Sequence, residues 1–315
     1  ATLYWAEAQD GGEPAIETDE RESVCVLAAP FNRTPERLAT TSLRYGGISW
    51  GDEQRAILSE RWWAKRLDKR TLIDPSTPGS EGKVIIDRST SDRYNDPGSP
   101  MTMKNEYGYY VLKFDKDNVF MSSVGGSPEG DRPYLSKFNL KNGKNEIIFR
   151  SEAPYYERPV DIIDKKANTI ITIRESETEP PNYFVRDLKK GSSTAITEFE
   201  HPQPEMMAVN KEIIKYERAD GVGLTAVLYT PEGYDKEKDG PLPVLMWAYP
   251  REYKSKANAA QVRGTPYSFT RVSWGSPLFW VLRGYAVMAN TEMPIIGEDD
   301  KQPNDSFREQ LVMNA

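Results

Sequence analysis

The chain has 315 residues, enough for about two domains, and its 38% hydrophobic and 28% charged residues are typical of a folded globular protein. Its net charge is -7 and it contains no basic run, which argues against nucleic-acid binding. A single cysteine, Cys25, excludes an internal disulfide framework, and a single histidine, His201, leaves little for a metal site. The longest apolar runs, 244–248 and 278–282, are too short to cross a bilayer. We therefore expect no cofactor, no metal, no nucleic acid and no membrane contact, and no pattern indicates an oligomeric state.

Short strands separated by polar turns fill residues 1–205. The predicted strands are 3–6, 23–28, 47–50, 55–60, 83–87, 109–114, 119–124, 134–140, 146–149, 169–174, 183–187 and 194–199. Many short strands with frequent turns are typical of a β-sandwich, a barrel or a propeller.

A weak internal repeat favours the propeller among these three. Segments that start at Trp63, Tyr134 and Tyr183 share an aromatic residue, a strand, a polar turn with lysine and a second strand. A four-stranded propeller blade takes roughly 40–50 residues, which fits the second interval and fits the first when 89–103 is an insertion. We therefore expect about four blades, which would be part of a propeller.

The pattern changes after residue 205, where we place a domain boundary. Two strands at 212–216 and 224–229 are joined by an Asp220-Gly221 turn, which is a hairpin signal. Continuous apolar strands follow at 244–249 and 284–290, as expected when helices cover both faces of a sheet.

Two helices complete this predicted α/β pattern. The apolar segment 274–282 lies between the two continuous strands and is predicted to be helical. Ser306 and Glu309 have the spacing of a capping box, with Phe307 and Leu311 on one face of the helix that follows. Strand, helix, strand and helix in this order indicate an α/β domain.

Several segments of this C-terminal part resemble a known enzyme family. The hairpin with 229–234, followed by 242–249, resembles the entry to the peptidase domain of the prolyl oligopeptidase family. The segment WAYPREYKS at 247–255, together with 283–287 and 304–307, is most similar to the glutamyl endopeptidase branch. The resemblance implies a serine peptidase that hydrolyses peptide bonds by Ser-His-Asp acyl transfer and whose propeller restricts access to the catalytic cleft. The resemblance to the glutamyl endopeptidase branch implies cleavage after glutamate.

The expected fold is therefore mixed. It combines a partial β-propeller over residues 1–205 with the N-terminal part of an α/β-hydrolase domain over 206–315. In the hydrolase fold, the nucleophile lies in a G-x-S-x-G turn, and the acid and then the histidine follow it. That pentapeptide is absent, and the glycine-rich segment 125–130 has the wrong spacing and lies among the strands. We expect the peptidase domain to be truncated before the nucleophile, so that the parent protein is an enzyme and the isolated fragment is inactive.

The resemblance assigns roles to two residues. In this family a tyrosine after the third strand of the hydrolase sheet donates its phenol O–H to the oxyanion, and Tyr249 matches that position. A phenol stays protonated at neutral pH, and one well-placed donor is worth roughly 3–4 kcal/mol in the transition state. A peptidase that cuts after glutamate needs a cation for the substrate carboxylate, and Arg251 is close in sequence to Tyr249. The residues alone favour a simpler interpretation, in which Tyr249 is a strand-end aromatic side chain and Arg251 is a solvated loop charge.

Two other functions remain open at this level. One is a non-catalytic β-propeller binding module with an appended α/β segment. The other is a glycoside hydrolase that uses two carboxylates, although the sequence alone places no pair at the required separation. The continuous strand that ends at Tyr249, with the second one at 284–290, favours the peptidase, because a propeller alone has no use for a strand buried on both faces.

Overall fold

The computed structural model describes residues 1–315, and its first 200 residues contain strands but no helix. These strands are Thr2–Ala8 (β1), Glu22–Ala28 (β2), Glu36–Thr41 (β3), Arg44–Asp52 (β4), Arg55–Trp62 (β5), Leu67–Ile73 (β6), Lys83–Ser89 (β7), Ser99–Pro100 (β8), Thr102–Lys104 (β9), Tyr110–Leu112 (β10), Phe114–Asp115 (β11), Asn118–Ser123 (β12), Tyr134–Asn139 (β13), Asn145–Arg150 (β14), Tyr156–Ile162 (β15), Thr169–Glu175 (β16), Asn182–Asp187 (β17) and Ser192–Ala195 (β18).

The strands form four successive meandering sheets, in which neighbours in sequence are neighbours in space. Their orders are β1-β2-β3, β4-β5-β6-β7, β11-β12-β13-β14 with β8 beside β12, and β15-β16-β17-β18. The predicted repeat marks the same strand in three of them, because β6, β13 and β17 are each the third strand of a sheet. The predicted insertion contains β8 and most of β9, and β9 pairs with β10 in a separate hairpin. The prediction of repeated blade-like sheets is confirmed, and this region is β-propeller-like.

Apolar residues bury both faces of the second sheet. Ala56 and Leu58 of β5 belong to one buried cluster, which also contains Val24. Ile57 lies between them in sequence, and it belongs to a second cluster with Val119. Successive side chains of a strand point to opposite faces, so these three consecutive apolar residues fill two cores at once.

The C-terminal part contains a mixed sheet and few helices. Its elements are Asn210–Glu217 (β19), Gly223–Thr230 (β20), Val244–Tyr253 (β21), Lys256–Ala259 (α1), Ala286–Ile296 (β22) and Phe307–Asn314 (α2), with 3₁₀ helices at Pro204–Met206, Pro277–Arg283 and Pro303–Ser306. The sheet order is β19-β20-β22-β21, and only β21 and β22 are parallel. The predicted hairpin is present, and Gly221 takes a φ of 83° in its turn.

The prediction that both apolar strands are buried on both faces is wrong for β21. β22 is mostly buried, and Val287 and Ile295 are completely so. β21 is the last strand of the sheet, and Val244, Met246 and Trp247 are all exposed. Burial depends on what packs against a strand, and that information is not contained in the strand's own hydrophobicity.

Both predicted helices are present, but the first differs from the prediction in helix type and the second in the role of its predicted capping residue. The segment 274–282 contains a 3₁₀ helix, not an α-helix. The last helix begins at Phe307, but Ser306 does not cap it, and its hydroxyl instead accepts a hydrogen bond from Gln310 (2.9 Å). The buried residues of α2 are Gln310 and Asn314. The amide of Gln310 exchanges two hydrogen bonds with the backbone of Ile296, so a polar side chain fixes this helix to β22.

The chain forms two compact units. One comprises Ala1–Thr90, Ser99–Met121 and Ser136–Glu146, and the other comprises Ser91–Gly98, Ser122–Leu135 and Ile147–Ala315. The boundary near residue 205 stays a prediction.

No group of three or more His, Cys, Asp or Glu side chains is placed to hold a metal ion. None of the helices is long and apolar enough to span a bilayer.

Candidate functional site

A cavity of about 300 Å³ lies against one face of β21 and β22, within the second unit. Every second residue at the end of β21 lines it, because alternate side chains of a strand share a face. The lining residues are Trp247, Tyr249, Arg251 and Tyr253 from β21, Asn290, Thr291, Glu292, Met293 and Pro294 from β22, and Arg93, Asp131, Arg263 and Gly264 from loops. The two residues singled out from the sequence, Tyr249 and Arg251, therefore lie at the same cavity.

Tyr249 presents a free phenol at this cavity. It is 78% exposed, and its hydroxyl forms no hydrogen bond within the chain. Its register partner on the parallel strand β22 is Glu292. The phenol is thus available to donate to a bound molecule, which is the property that an oxyanion donor needs.

Arg251 lies two residues further along the same face. It is exposed, and its guanidinium forms no hydrogen bond or ion pair with the rest of the chain. Its register partner is Pro294, which has no charge to neutralise it. Arg251 therefore contributes a positive charge that no hydrogen bond or ion pair engages, and this charge lowers the pKa values of Glu292 and Tyr253 against the larger effect of their burial.

Glu292 is a residue of this cavity that the sequence alone did not single out. It is only 7% exposed, and neither of its carboxylate oxygens accepts a hydrogen bond of normal geometry. Arg263 Nε lies 3.2 Å from Oε1, close enough for an ion pair. Burial raises the pKa of Glu292 to about 7, against the opposing effect of Arg263. The available signal was a single carboxylate inside an otherwise uncharged strand, since charged side chains are rarely buried in folded proteins.

Arg263 connects the carboxylate to the end of β21. Its Nε donates to the hydroxyl of Tyr253 (3.1 Å) while it lies beside Glu292. Tyr253 is buried, and this burial raises the pKa of its phenol. Arg263 is therefore committed to two neighbours, in contrast to Arg251.

Two loops from the sheet region hold the segment that carries Arg263. Arg93 pairs with Asp131 (2.6 Å), and the Asp131 backbone N–H donates to the Gly264 carbonyl (2.7 Å). The other oxygen of the Asp131 carboxylate accepts from the Gly264 N–H (3.2 Å). The side chain of Gln261 also accepts from the backbone N–H of Arg93 (2.7 Å). These bonds fix one wall of the cavity without using a residue of β21.

The balance of charge in the cavity is positive. Three guanidinium groups and two carboxyl groups line it, and the two carboxyl groups are each beside an arginine. With Arg251 free and Glu292 able to lose its charge near neutral pH, the cavity is suited to a ligand with a carboxylate. His201, the single histidine, does not line it, and its Nδ1 accepts a hydrogen bond from the Gln203 backbone (3.0 Å).

A known structure resembles the fold of this chain, and two known sequences are related to it. The structure resembles that of a putative dipeptidyl aminopeptidase IV from Bacteroides ovatus, with a TM-score of 0.51 and 16% identity over 93% of this chain and 48% of the other. At that identity the likeness concerns the fold alone. No family model matches the chain.

The sequence relatives are more specific. Over its whole length the chain is 40% identical to a probable chloroplastic glutamyl endopeptidase from Oryza sativa subsp. japonica and 40% identical to one from Arabidopsis thaliana. It spans only 35% and 34% of the lengths of these two proteins. The resemblance to the glutamyl endopeptidase branch is therefore confirmed, and the chain is homologous to about a third of such a protein.

Proposed function

We propose that this chain is a segment of a serine-type peptidase of the prolyl oligopeptidase family that cleaves peptides after glutamate. In this proposal residues 1–205 are propeller blades, and 206–315 are the start of the α/β-hydrolase domain. The serine, aspartate and histidine of the triad belong to parts of the parent protein outside these residues. The relationship to two probable glutamyl endopeptidases supports the activity, and the fold supports the class.

The observation that carries the proposal is the pairing of a free phenol and a free guanidinium on one face of β21. Tyr249 and Arg251 are separated by one residue and both line the cavity. A peptide whose scissile carbonyl lies at Tyr249 would receive a neutral hydrogen bond at the atom where negative charge develops. Arg251 is near enough in the strand to pair with an acidic side chain of the same peptide, and bidentate arginine–carboxylate pairs are strong and specific.

The test uses the full-length protein and three peptides that differ only in one residue before the bond, which is glutamate, glutamine or lysine. We expect cleavage after glutamate, measured by mass spectrometry, and covalent labelling of one serine by a fluorophosphonate probe. Equal cleavage of the three peptides would remove the glutamate preference. Absence of both cleavage and labelling would favour the non-catalytic binding module.

A further inference from the structure

Glu292 is a buried carboxyl group that the proposed reaction does not use. It lies on β22, in the middle of the mixed sheet, and its register partner is the exposed Tyr249. Only 7% of the residue is exposed, but it borders the cavity, and both carboxylate oxygens lack a hydrogen-bond partner. A carboxylate in this position is costly, because burial removes hydration that no hydrogen bond replaces.

The groups that face Glu292 come from five parts of the chain. They are Tyr249, Arg251 and Tyr253 on β21, Thr225 on β20, Tyr216 on β19, Arg263 in the loop after α1, and Arg93 in the loop after β7. The positive charges favour the ionised form, and the Thr225 hydroxyl does the same without forming a hydrogen bond of normal geometry. Desolvation by burial outweighs these effects and holds the pKa of Glu292 at about 7.

A ligand carboxylate in the same cavity changes this balance. Two ionised carboxylates a few ångströms apart repel each other, so the proton affinity of the buried one increases. Protonation removes the negative charge of Glu292, so an incoming carboxylate meets the positive charge of Arg251 without this repulsion. When Glu292 is ionised in the free protein, binding of the ligand therefore takes up one proton from solvent. That proton stays with Glu292 and the ligand carboxylate.

We propose that Glu292 is a specificity-determining residue that must be protonated when a peptide carboxylate binds at Arg251, so that carboxylate binding is coupled to the uptake of one proton. This inference rests on the proposed function for the identity of the ligand as a peptide. The carboxylate is either the side chain of a glutamate or the terminal carboxylate of the peptide, since both present the same two oxygens.

The coupling gives a specific pH dependence. Below about pH 6 Glu292 is already mostly protonated, so affinity for a carboxylate is nearly constant until the ligand itself is protonated. Above pH 7 affinity falls, and the protonated fraction of a group with a pKa of about 7 decreases about tenfold between pH 6 and pH 8. An uncharged amide ligand gains nothing from this protonation, so its affinity does not fall in the same way.

The test measures binding directly on the full-length protein. Calorimetry at pH 8 in two buffers of different ionisation enthalpy reports the protons taken up per ligand bound. The probes are N-acetyl-glutamate amide, with only a side-chain carboxylate, and N-acetyl-glutamine, with only a terminal one. We expect uptake of nearly one proton for the probe that binds in the cavity, and the comparison of the two probes assigns the source of the carboxylate.

Two variants that each replace one glutamate by glutamine serve as test and control. Glu292→Gln keeps the shape and a donor but cannot titrate, so it should abolish proton uptake and the tenfold change in affinity between pH 6 and pH 8. Glu309→Gln changes an exposed glutamate on α2 and should keep both. Binding of a probe by the unmodified protein without proton uptake, no binding of either probe, or uptake that persists in Glu292→Gln would each overturn the proposal. None of these results depends on cleavage, so failure of the proposed peptidase activity is distinguished from failure of this inference.

Discussion

Tyr249 and Glu292 are register partners across the parallel pair β21–β22, and they have opposite environments. The tyrosine is 78% exposed, whereas the glutamate is 7% exposed. Parallel partners on one face of a sheet lie side by side, so a free phenol and a buried carboxyl group border the same cavity. The first three predictions concern this cavity and the loop that supports its wall.

Replacing Tyr249 by phenylalanine removes the phenol O–H and keeps the ring. If the phenol donates to the oxyanion, kcat of the full-length protein should fall about 100-fold, with little change in KM, because the bond forms only in the transition state. Steady-state kinetics on a glutamate peptide measures both constants. Tyr107→Phe is the matched control, since Tyr107 is equally exposed but lies in the other unit. An unchanged kcat for Tyr249→Phe would refute the oxyanion role.

Replacing Arg251 by glutamine removes the uncommitted positive charge of the cavity. We expect KM for a glutamate peptide to rise about 10–100-fold, the range that corresponds to one charge-assisted hydrogen bond. KM for the glutamine peptide should stay the same, because an amide does not pair with the guanidinium as an ion. Arg283→Gln removes an exposed arginine outside the cavity and should affect neither peptide. Equal effects on both peptides would assign Arg251 to general binding.

The loop that carries Asp131 depends on a glycine. Gly125 has a φ of 65°, and a Cβ there would overlap the carbonyl oxygen of Arg132. Gly125→Ala should therefore cost about 3 kcal/mol of unfolding free energy in urea, from strain and displacement of the loop. Gly143 has a φ of 74° with open space around it, so Gly143→Ala should cost only about 1 kcal/mol. Equal costs would mean that the Arg132 contact adds nothing to the backbone strain.

Local patterns made the sheets predictable. The third strands β6, β13 and β17 share an aromatic–strand–turn pattern. Each copy of this pattern lies within one short segment, so the sequence of that segment is enough to recognise it. β15 was missed, because Pro159 interrupts its pattern. Proline is tolerated at a sheet edge, and β15 is an edge strand whose register shifts after Pro159.

The candidate site was only partly predictable. Tyr249 and Arg251 were found through family resemblance to one continuous segment. Glu292, Arg263 and Asp131 come from three separate segments, and only the fold brings them to the cavity. The exposure of β21 was likewise beyond the sequence, since it depends on the position of the strand in the sheet order.

A buried ion pair in the last sheet before the mixed one provides a test of stability. Glu157 is 3% exposed. Both of its carboxylate oxygens accept hydrogen bonds from the Arg186 guanidinium, and one of them also accepts a hydrogen bond from the Thr172 hydroxyl. Arg186→Met leaves this carboxylate buried without its cation, which should cost about 3–5 kcal/mol in urea unfolding. Lys238→Met breaks an exposed pair with Asp235 and should cost less than about 0.5 kcal/mol. A small loss for Arg186→Met would show that Glu157 becomes protonated or hydrated instead.

The raised pKa of Glu292 predicts a pH dependence of stability that glutamine removes. Its folded-state pKa of about 7 exceeds the ordinary value of 4.5, so the folded state binds the proton more tightly than the unfolded chain. This contribution is fully present below pH 4.5 and is lost as pH rises through 7, a decrease of about 2–3 kcal/mol between pH 5 and pH 8. Other groups titrate in both proteins, so the quantity to measure is the difference in unfolding free energy between Glu292→Gln and the unmodified protein. That difference should move in favour of the variant as pH rises, and a constant difference would mean that Glu292 is ionised in the folded state throughout this range.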